Sequence, residues 1–263
     1  MMSYCVAGIG ARVTVEAIVT EAVRFERGGD TWTITLTREE KRNALSQAMV
    51  EELLSFVATA ARERPRVLVL QGHGPTFCAG FDFTGLNDQS DGDLLLRFVR
   101  VEMLLQALSA LPCLTVAFAH GRCFGAGVDL FTACKVRFAE PKTTFRMPGL
   151  SFGLLLGTRR FGEVVGTETA MALLDGSRTF DVSIALDIGL VHDVVCLENR
   201  SDLTEAVHRR ALGLTADARA TLYEALMPAN QLHVDMALLV RSASQPGLKQ
   251  RITEYLKTGT LPT

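Results

Sequence analysis

The sequence has little net charge, no long apolar run and no closely spaced pair of cysteines. Its 263 residues include 27 basic and 29 acidic side chains, which gives a formal net charge of −2 at pH 7. This balance argues against a nucleic-acid-binding surface and against a basic membrane-binding patch. No apolar run is long enough to cross a bilayer. We therefore expect neither nucleic acid nor a membrane as a partner.

The cysteines indicate a reducing compartment. Six of them are spread along the chain at positions 5, 78, 113, 123, 134 and 196, without a C-x-x-C pair. The N-terminus contains Glu16 and Glu21 and lacks a basic start followed by a continuous apolar segment, so no signal peptide is expected. Buried, reduced thiols are then the usual state. We expect a cytoplasmic protein, and no cluster of side chains has the spacing of a metal site.

Buried strands alternate with amphipathic helices along most of the chain. RVLVLQG (66–72) and CLTVAFA (113–119) are short continuous apolar runs, typical of strands that are buried on both faces. Helices are predicted from about Gln47 to Arg64 and from Leu94 to Leu111, and a proline follows each. This alternation predicts an α/β fold with crossover connections.

The chain divides into three predicted parts. Residues 1–18 are predicted to be a flexible N-terminal extension, residues 19–200 the α/β core, and residues 201–263 a C-terminal helical region. The apolar faces of the last helices need a partner surface, which could belong to another subunit. Examples of these apolar residues are Leu232, Met236, Leu239 and Val240.

Two loops share one design, in which a buried strand runs into a glycine-containing turn. The first reads FCAGFD (77–82) and the second GRCFGAGVD (121–129). Small residues let the backbone approach a ligand closely, and a helix N-terminus presents free N–H groups to negative charge. Two such loops could direct two N–H donors at one oxygen, which would form an oxyanion hole for a thioester enolate. Tight turns alone would explain the glycines equally well.

Several motifs, in matching order, resemble the crotonase superfamily of enoyl-CoA hydratases and isomerases. The resemblance covers roughly residues 22–200 and rests on four segments: REEKRNAL (38–45), TFCAGFDF (76–83), GRCFGAGVDL (121–130) and LLDGSRTFDVSIALDIGLVHDVV (173–195). It implies a crotonase-like β-β-α spiral whose C-terminal helices pack over the site or over a neighbouring subunit. It also implies an acyl-CoA substrate, no separate cofactor, and assembly as a homotrimer or a dimer of trimers.

The resemblance further implies which residues hold the substrate. The thioester oxygen would accept hydrogen bonds from the backbone amides of Phe81 and Ala126. The residues implied to lie along the CoA thioester are Lys41, Arg42, Ala44, Ala79, Gly80 and Gly125. Lys41 and Arg42 could meet the phosphates of CoA, and solvated surface charge explains them equally well.

The catalytic acids depart from the family pattern. Hydratases of this family place one glutamate three residues after the second oxyanion donor, where this chain has Asp129. The second family glutamate falls at Gly149, so that carboxylate is absent, and the following loop is about three residues short. We expect Asp129 to be the leading acid or base. His233 is a further candidate proton donor, and Arg146 could recognise an anionic acyl group.

The sequence therefore predicts an enzyme of the hydratase/isomerase type that acts on an acyl-CoA. Water addition needs a base for the water and an acid for the α-carbon, whereas one carboxylate suffices for a proton shuttle or for quenching a decarboxylated enolate. Three alternatives stay open: an acyl-CoA or acyl-carrier-protein decarboxylase of the same fold, a non-catalytic acyl-CoA-binding scaffold, and a serine hydrolase. The last follows from the G-x-S-x-G pattern around Ser151.

Overall fold

A computed structural model describes residues 2–6, 13–226 and 230–258. The strands in these ranges are β1 (Met2–Val6), β2 (Val13–Val19), β3 (Val23–Gly28), β4 (Thr31–Leu36), β5 (Val67–Gly72), β6 (Leu114–Ala119), β7 (Arg122–Phe124), β8 (Val136–Ala139), β9 (Thr144–Arg146), β10 (Phe180–Asp181) and β11 (Asp193–Val194). The α-helices are α1 (Gln47–Glu63), α2 (Asp91–Ser109), α3 (Ala126–Ala133), α4 (Thr158–Val165), α5 (Thr167–Asp175), α6 (Val182–Asp187), α7 (Arg200–Leu212), α8 (Ala216–Leu226), α9 (Asn230–Ala243) and α10 (Leu248–Thr258).

The larger of two sheets runs in the order β1-β2-β3-β4-β5-β6-β8-β11. Its first four strands are antiparallel, and the strands from β4 to β11 are parallel. The parallel strands β5 and β6 are buried almost throughout, as continuous apolar runs predict. The predicted α/β architecture is confirmed. Ligands bind at the carboxyl ends of parallel strands in such sheets, and here the two glycine-containing loops follow β5 and β6.

The smaller sheet continues directly from the second loop. It has the order β10-β9-β7, with β7 parallel to β9 and β10 antiparallel to it. Because β7 leads into α3, this sheet fixes the start of α3 relative to β9. The residues of β9 are thereby held beside the second glycine loop.

Side-chain caps mark the starts of the first two α-helices. The hydroxyl of Ser46 accepts a hydrogen bond from the amide of Met49 at the start of α1. Ser90 and Asp93 form a capping box at the start of α2, so this helix begins at Asp91, three residues before the predicted Leu94. None of the helices in the described ranges is both long and apolar enough to cross a membrane.

Regular structure extends towards both ends of the described chain. β2 pairs with β3 from Val15 to Val19 and with β1 from Val13 to Ala17. Residue 1 and residues 7–12 of the predicted extension lie outside the described residues, and its flexibility stays a prediction. At the other end, Leu239 of α9 is fully buried in this chain's own core, and Met236 packs against the same core. Part of the apolar face of α9 therefore finds its partner surface within the chain.

Candidate active site

The glycine loops that follow β5 and β6 lie side by side. An isolated parallel bridge joins Cys78 to Cys123, and the amide of Phe124 donates a 3.0 Å hydrogen bond to the carbonyl of Cys78. Gly80 adopts a positive φ of 95°, and a Cβ at this position would lie 2.6 Å from the carbonyl oxygen of Phe124. Only glycine permits so close an approach of the two backbones.

Two backbone amides at this junction are free. Ala126 is the first residue of α3, where N–H groups lack intrahelical partners. Phe81 follows Gly80, whose carbonyl accepts from Leu45, while Asp82 donates to the carbonyl of Leu45. Among the described residues, neither the amide of Phe81 nor that of Ala126 donates to a protein acceptor. The amide of Ala126 also lies 3.3 Å from the position that a Cβ on Gly80 would take.

A cavity of about 600 Å³ opens beside these amides. Phe81, Ala126 and Asp129 lie in its wall, together with residues from β9, the segment before α4, and α10. Much of the remaining wall is apolar and includes Leu150, Leu154, Leu156 and Leu174. Tyr255 and Leu256 of α10 complete the wall, and the ring of Tyr255 packs 5.2 Å from that of Phe152. The cavity can hold an apolar chain next to two hydrogen-bond donors.

Asp129 lies in this wall as a buried carboxyl group. Asp129 is 3% exposed, and its carboxyl group forms no hydrogen bond with any described residue. Burial raises the pKa of Asp129 well above its ordinary value; the positive charge of Arg160 opposes this rise and the negative charge of Glu102 adds to it. Burial therefore favours the protonated form of Asp129 beside the free amides.

Arg160 belongs to a buried ion cluster that joins three helices behind Asp129. Its guanidinium makes two bonds to the carboxylate of Glu102 on α2, at 2.9 and 2.6 Å, and one of 2.8 Å to Asp235 on α9. Arg159 adds two further bonds to Asp235, at 2.6 and 2.7 Å. Glu102 is 1% and Arg160 5% exposed. The cluster fixes α2, α4 and α9 around the wall that carries Asp129.

The loop that precedes α1 is tied to the first glycine loop by residues that the sequence reasoning did not single out. Arg38 donates to the carbonyl of Ala44 at 2.7 Å and to the carboxylate of Asp82 at 2.9 Å. The amide group of Asn43, which is fully buried at a positive φ, donates to the carbonyls of His73 and Thr76. Asn43 is part of the KRNAL motif (41–45). The motif therefore pointed to this residue but did not indicate that its side chain ties the two loops together.

Most of the predicted substrate-binding residues come together at the cavity. Its wall includes Lys41, Arg42, Ala44, Ala79, Gly125 and Arg146. Gly80 lies between two wall residues, with its Cα against Gly125. Lys41 and Arg42 are exposed at the rim, where a charged ligand group could meet them.

His233 is not brought to the cavity of its own chain. It is exposed on α9, whereas Asp235 and Leu239 of that helix face inward. Because His233 stands two residues before Asp235, it projects from a different side of the helix. His233 therefore does not line this cavity, and its role as a proton donor stays a prediction. His73 and His120 line a separate polar depression, where the Nε2 of His120 lies 2.8 Å from the carbonyl oxygen of Gly74.

Gly149 stands in the cavity wall without a side chain, as the sequence predicts. It begins a short 3-10 helix (Gly149–Phe152) whose closing bond runs from the amide of Leu154 to the carbonyl of Gly149 at 2.9 Å. Ser151 lies in this turn, where its hydroxyl is 2.6 Å from that of Ser177. No described histidine contacts Ser151, so the arrangement lacks the base that a serine nucleophile needs. In the described residues, no group of three or more His, Cys, Asp and Glu side chains could hold a metal ion.

Comparisons of sequence and of structure with known proteins agree on one family. The sequence profile of the enoyl-CoA hydratase/isomerase family matches residues 26–257. A protein of Mycobacterium tuberculosis named "Probable enoyl-CoA hydratase echA6" is 32% identical over 182 residues, which is 68% of this chain and 73% of that protein. A crystal structure from Bordetella parapertussis, described as a "putative enoyl-CoA hydratase/isomerase", is 50% identical. It superposes with a TM-score of 0.87 and covers 89% of this chain and 98% of that one.

One relative carries a different activity in its name. The ethylmalonyl-CoA decarboxylase of Mus musculus is 30% identical over 183 residues, which is 67% of this chain and 55% of the mouse protein. The match therefore spans about half of the length of that enzyme.

Proposed function

Since the chain belongs to the enoyl-CoA hydratase/isomerase family, we propose that its cavity binds the thioester of an acyl-CoA and that Asp129 moves a proton at the carbon next to the thioester carbonyl. One observation carries this proposal: a buried carboxyl group, whose pKa burial raises, shares a cavity wall with two free backbone amides. These are the parts that an enolate needs, namely donors for its oxygen and an acid for its carbon.

The amides of Phe81 and Ala126 are proposed to bind the thioester oxygen. Removing a proton or a carboxyl group from the α-carbon places negative charge on this oxygen, and donors that are already oriented stabilise that charge without reorganisation. Ala126 adds the positive end of α3 to its N–H group. Because nothing else in the described protein uses these two donors, a ligand oxygen can take both.

The CoA moiety is proposed to leave the cavity past the loop that precedes α1. Lys41 and Arg42 are exposed at the rim and carry the positive charge that phosphates require. Ala44 and Ala79 offer small side chains on the way, where a narrow chain can pass. The acyl chain then lies in the apolar part of the wall around Leu154 and Leu156. The substrate supplies the CoA, and the proposal includes no other cofactor.

A single carboxyl group favours proton relocation over hydration. Hydration needs one group to activate water and another to protonate the α-carbon, and Gly149 leaves the second position empty. An isomerase can instead use one carboxylate that takes a proton from one carbon and returns it to another. Asp129 must first ionise to begin this cycle, which the buried Arg160 nearby assists by favouring the charged form.

Decarboxylation is the second candidate, and it is favoured because burial raises the pKa of Asp129 and so favours its protonated form. The bond between the α-carbon and a substrate carboxylate breaks, CO2 leaves, and the electron pair passes through the α-carbon to the thioester oxygen. The protonated Asp129 then gives its proton to the α-carbon and regains one from solvent. This sequence uses the acid in its resting form, and the mouse relative named for such a reaction supports it.

Mass spectrometry and hydrogen exchange test the proposal. The protein is incubated with enoyl-, 3-hydroxyacyl- and malonyl-type CoA esters in heavy water. Deuterium at the α-carbon, a moved double bond or loss of CO2 supports the proposal, and Asp129→Asn is expected to abolish that signal. Gain of water would identify a hydratase, and free CoA a hydrolase. Binding of the esters without turnover or exchange would identify a non-catalytic scaffold instead.

The family also supports a proposal of assembly as a homotrimer or a dimer of trimers. Exposed apolar side chains remain on α5 and α6, where Met171, Ile184 and Leu186 are between 40% and 59% exposed. Exposed apolar side chains of this size are candidates for contact with a neighbouring subunit. Light scattering coupled to size exclusion measures the mass, and a monomer at micromolar concentration would contradict the proposal.

A further inference from the structure

Arg146 lies at the junction between β9 and the second glycine loop. It pairs with Phe124 in the parallel ladder of β7 and β9, and its carbonyl accepts a 2.7 Å hydrogen bond from the amide of Gly125. The backbone of Arg146 is therefore fixed one residue away from Ala126, a proposed oxyanion donor. Its half-buried side chain is part of the cavity wall. A ligand whose thioester oxygen meets Ala126 thus has its acyl group within reach of this side chain.

The guanidinium of Arg146 is held at one edge only. Its Nε donates to the carbonyl of Ser177 at 3.0 Å. Ser177 adopts a positive φ of 44°, which is unusual for a residue other than glycine, and its hydroxyl is fixed by that of Ser151. A carbonyl held in a strained turn is thereby available to orient the guanidinium.

The two terminal nitrogens of Arg146 have no partner among the described residues. They form no hydrogen bond there, and no carboxylate of that part of the chain lies within 4.0 Å. The buried Arg160 differs, since Glu102 and Asp235 engage both of its terminal nitrogens. Arg146 therefore lines the cavity with one donor edge unused, the edge formed by its two terminal nitrogens.

No carboxylate in the wall pairs with this charge. Asp82 is bound by Arg38, Glu40 is exposed and forms no ion pair with Arg146, and burial raises the pKa of Asp129 and so disfavours its charged form. At position 149, where the family places a carboxylate, the wall has only backbone. Leu150 and Leu174 line the same cavity and give the cation no polar partner. A half-buried charge without a partner is costly, and a ligand anion would remove that cost.

We propose that Arg146 binds a carboxylate carried by the acyl group, so that the substrate is the CoA monothioester of a dicarboxylic acid. The planar fork of the guanidinium matches a carboxylate with two parallel hydrogen bonds. This inference rests on the proposed function, because it assumes that the thioester lies between Phe81 and Ala126. It adds the chemical class of the acyl group, which the motifs leave open.

Isothermal titration calorimetry with two ligands of equal chain length tests the inference. Glutaryl-CoA carries a terminal carboxylate and pentanoyl-CoA does not. The wild-type protein is expected to bind glutaryl-CoA about 10- to 100-fold more tightly, since hydrogen bonds to a charged group contribute that much. Arg146→Gln is expected to remove this difference while leaving pentanoyl-CoA affinity within about twofold.

Arg178→Gln is the matched control, because it removes an exposed positive charge from the same turn as Ser177. It should preserve the preference for glutaryl-CoA. Equal weakening of both ligands and of free CoA by Arg146→Gln would assign Arg146 to the CoA phosphates and overturn the inference, as would an unchanged preference. Wild-type protein that binds neither thioester would refute the proposed function itself. Thermal unfolding of Arg146→Gln checks that the variant is folded.

Discussion

The carboxyl group of Asp129 packs directly against the backbone of Gly157, the residue that precedes α4. A Cβ at position 157 would lie 1.9 Å from Oδ1 of Asp129 and 2.6 Å from its Cγ. Gly157 also has a positive φ of 62°, which other residues adopt at a cost. The position of the proposed acid therefore depends on the absence of a side chain 28 residues further along the chain.

Gly157→Ala is expected to displace Asp129 and to lower kcat about 100-fold, the usual effect of a shift near 1 Å in a reacting group. Gly85→Ala is the matched control. Gly85 also precedes a short helix with a positive φ, 73°, and a Cβ there would meet nothing closer than 3.7 Å. If both variants lose activity equally, backbone strain and not the clash with Asp129 explains the loss.

Asp129→Asn is expected to stabilise the protein increasingly as pH rises. Burial raises the pKa of Asp129 in the folded state, while the unfolded chain has the ordinary value of about 4. Between these two values the folded state binds a proton that the unfolded state has lost, so wild-type stability falls with increasing pH. Asparagine does not titrate, so the variant does not undergo this loss of stability as the pH rises. Melting temperatures of both proteins from about pH 4 to pH 8 measure the difference; a constant offset would contradict it.

Glu102→Gln is expected to destabilise the fold by roughly 3–5 kcal/mol, because it leaves the buried charge of Arg160 without its main partner. Urea unfolding measures the effect. Glu51→Gln breaks the ion pair with Arg100 at a site where both side chains are partly exposed, and it should cost no more than about 1 kcal/mol. Similar losses in the two variants would show that burial of the cluster contributes little.

Restoring a glutamate at position 149 is not expected to create a hydratase. A Cβ on Gly149 would lie 2.9 Å from the carbonyl oxygen of Leu154, which is backbone and cannot move freely. Gly149→Glu should therefore lose stability without gaining hydration of crotonyl-CoA. Gly149→Ala carries the same Cβ and should lose stability to a similar degree. Hydration activity in Gly149→Glu at the level of a two-carboxylate enzyme would show that the turn adapts.

Asp91 at the start of α2 holds the start of α10. Its carboxylate accepts from the amides of Gly247, Leu248 and Lys249 at 3.1, 3.2 and 2.8 Å. Asp91→Ala is expected to loosen α10 and raise KM about tenfold, since bonds of this type contribute about 1.5–3 kcal/mol. Asp202→Ala, in the first turn of α7, should leave KM unchanged. Faster hydrogen exchange confined to α10 in Asp91→Ala would show that the helix is loosened.

Local signals predicted the parts of the fold that depend on neighbours in sequence. The buried strands β5 and β6 follow from apolar runs, helix α1 from apolar residues at helical spacing before a proline, and the two glycine loops from small residues. The cluster of Arg160, Glu102 and Asp235 could not be predicted, because its members stand 58 and 75 residues apart. Their pairing depends on how three helices pack, and no local pattern carries that information. The pairing of β2 with β1 and β3 is a further example, because no local pattern shows which strand a neighbouring segment will pair with.

The contribution of α10 to the cavity wall has a consequence for synthesis of the protein. A ribosome produces Phe81, Ala126 and Asp129 long before Tyr255 and Leu256, so the nascent chain can assemble its donors and acid while the acyl site is still open to solvent. The apolar surface of that site is covered only when the last helix emerges and docks on Asp91. Chains truncated before α10 would therefore expose this apolar groove to chaperones and proteases.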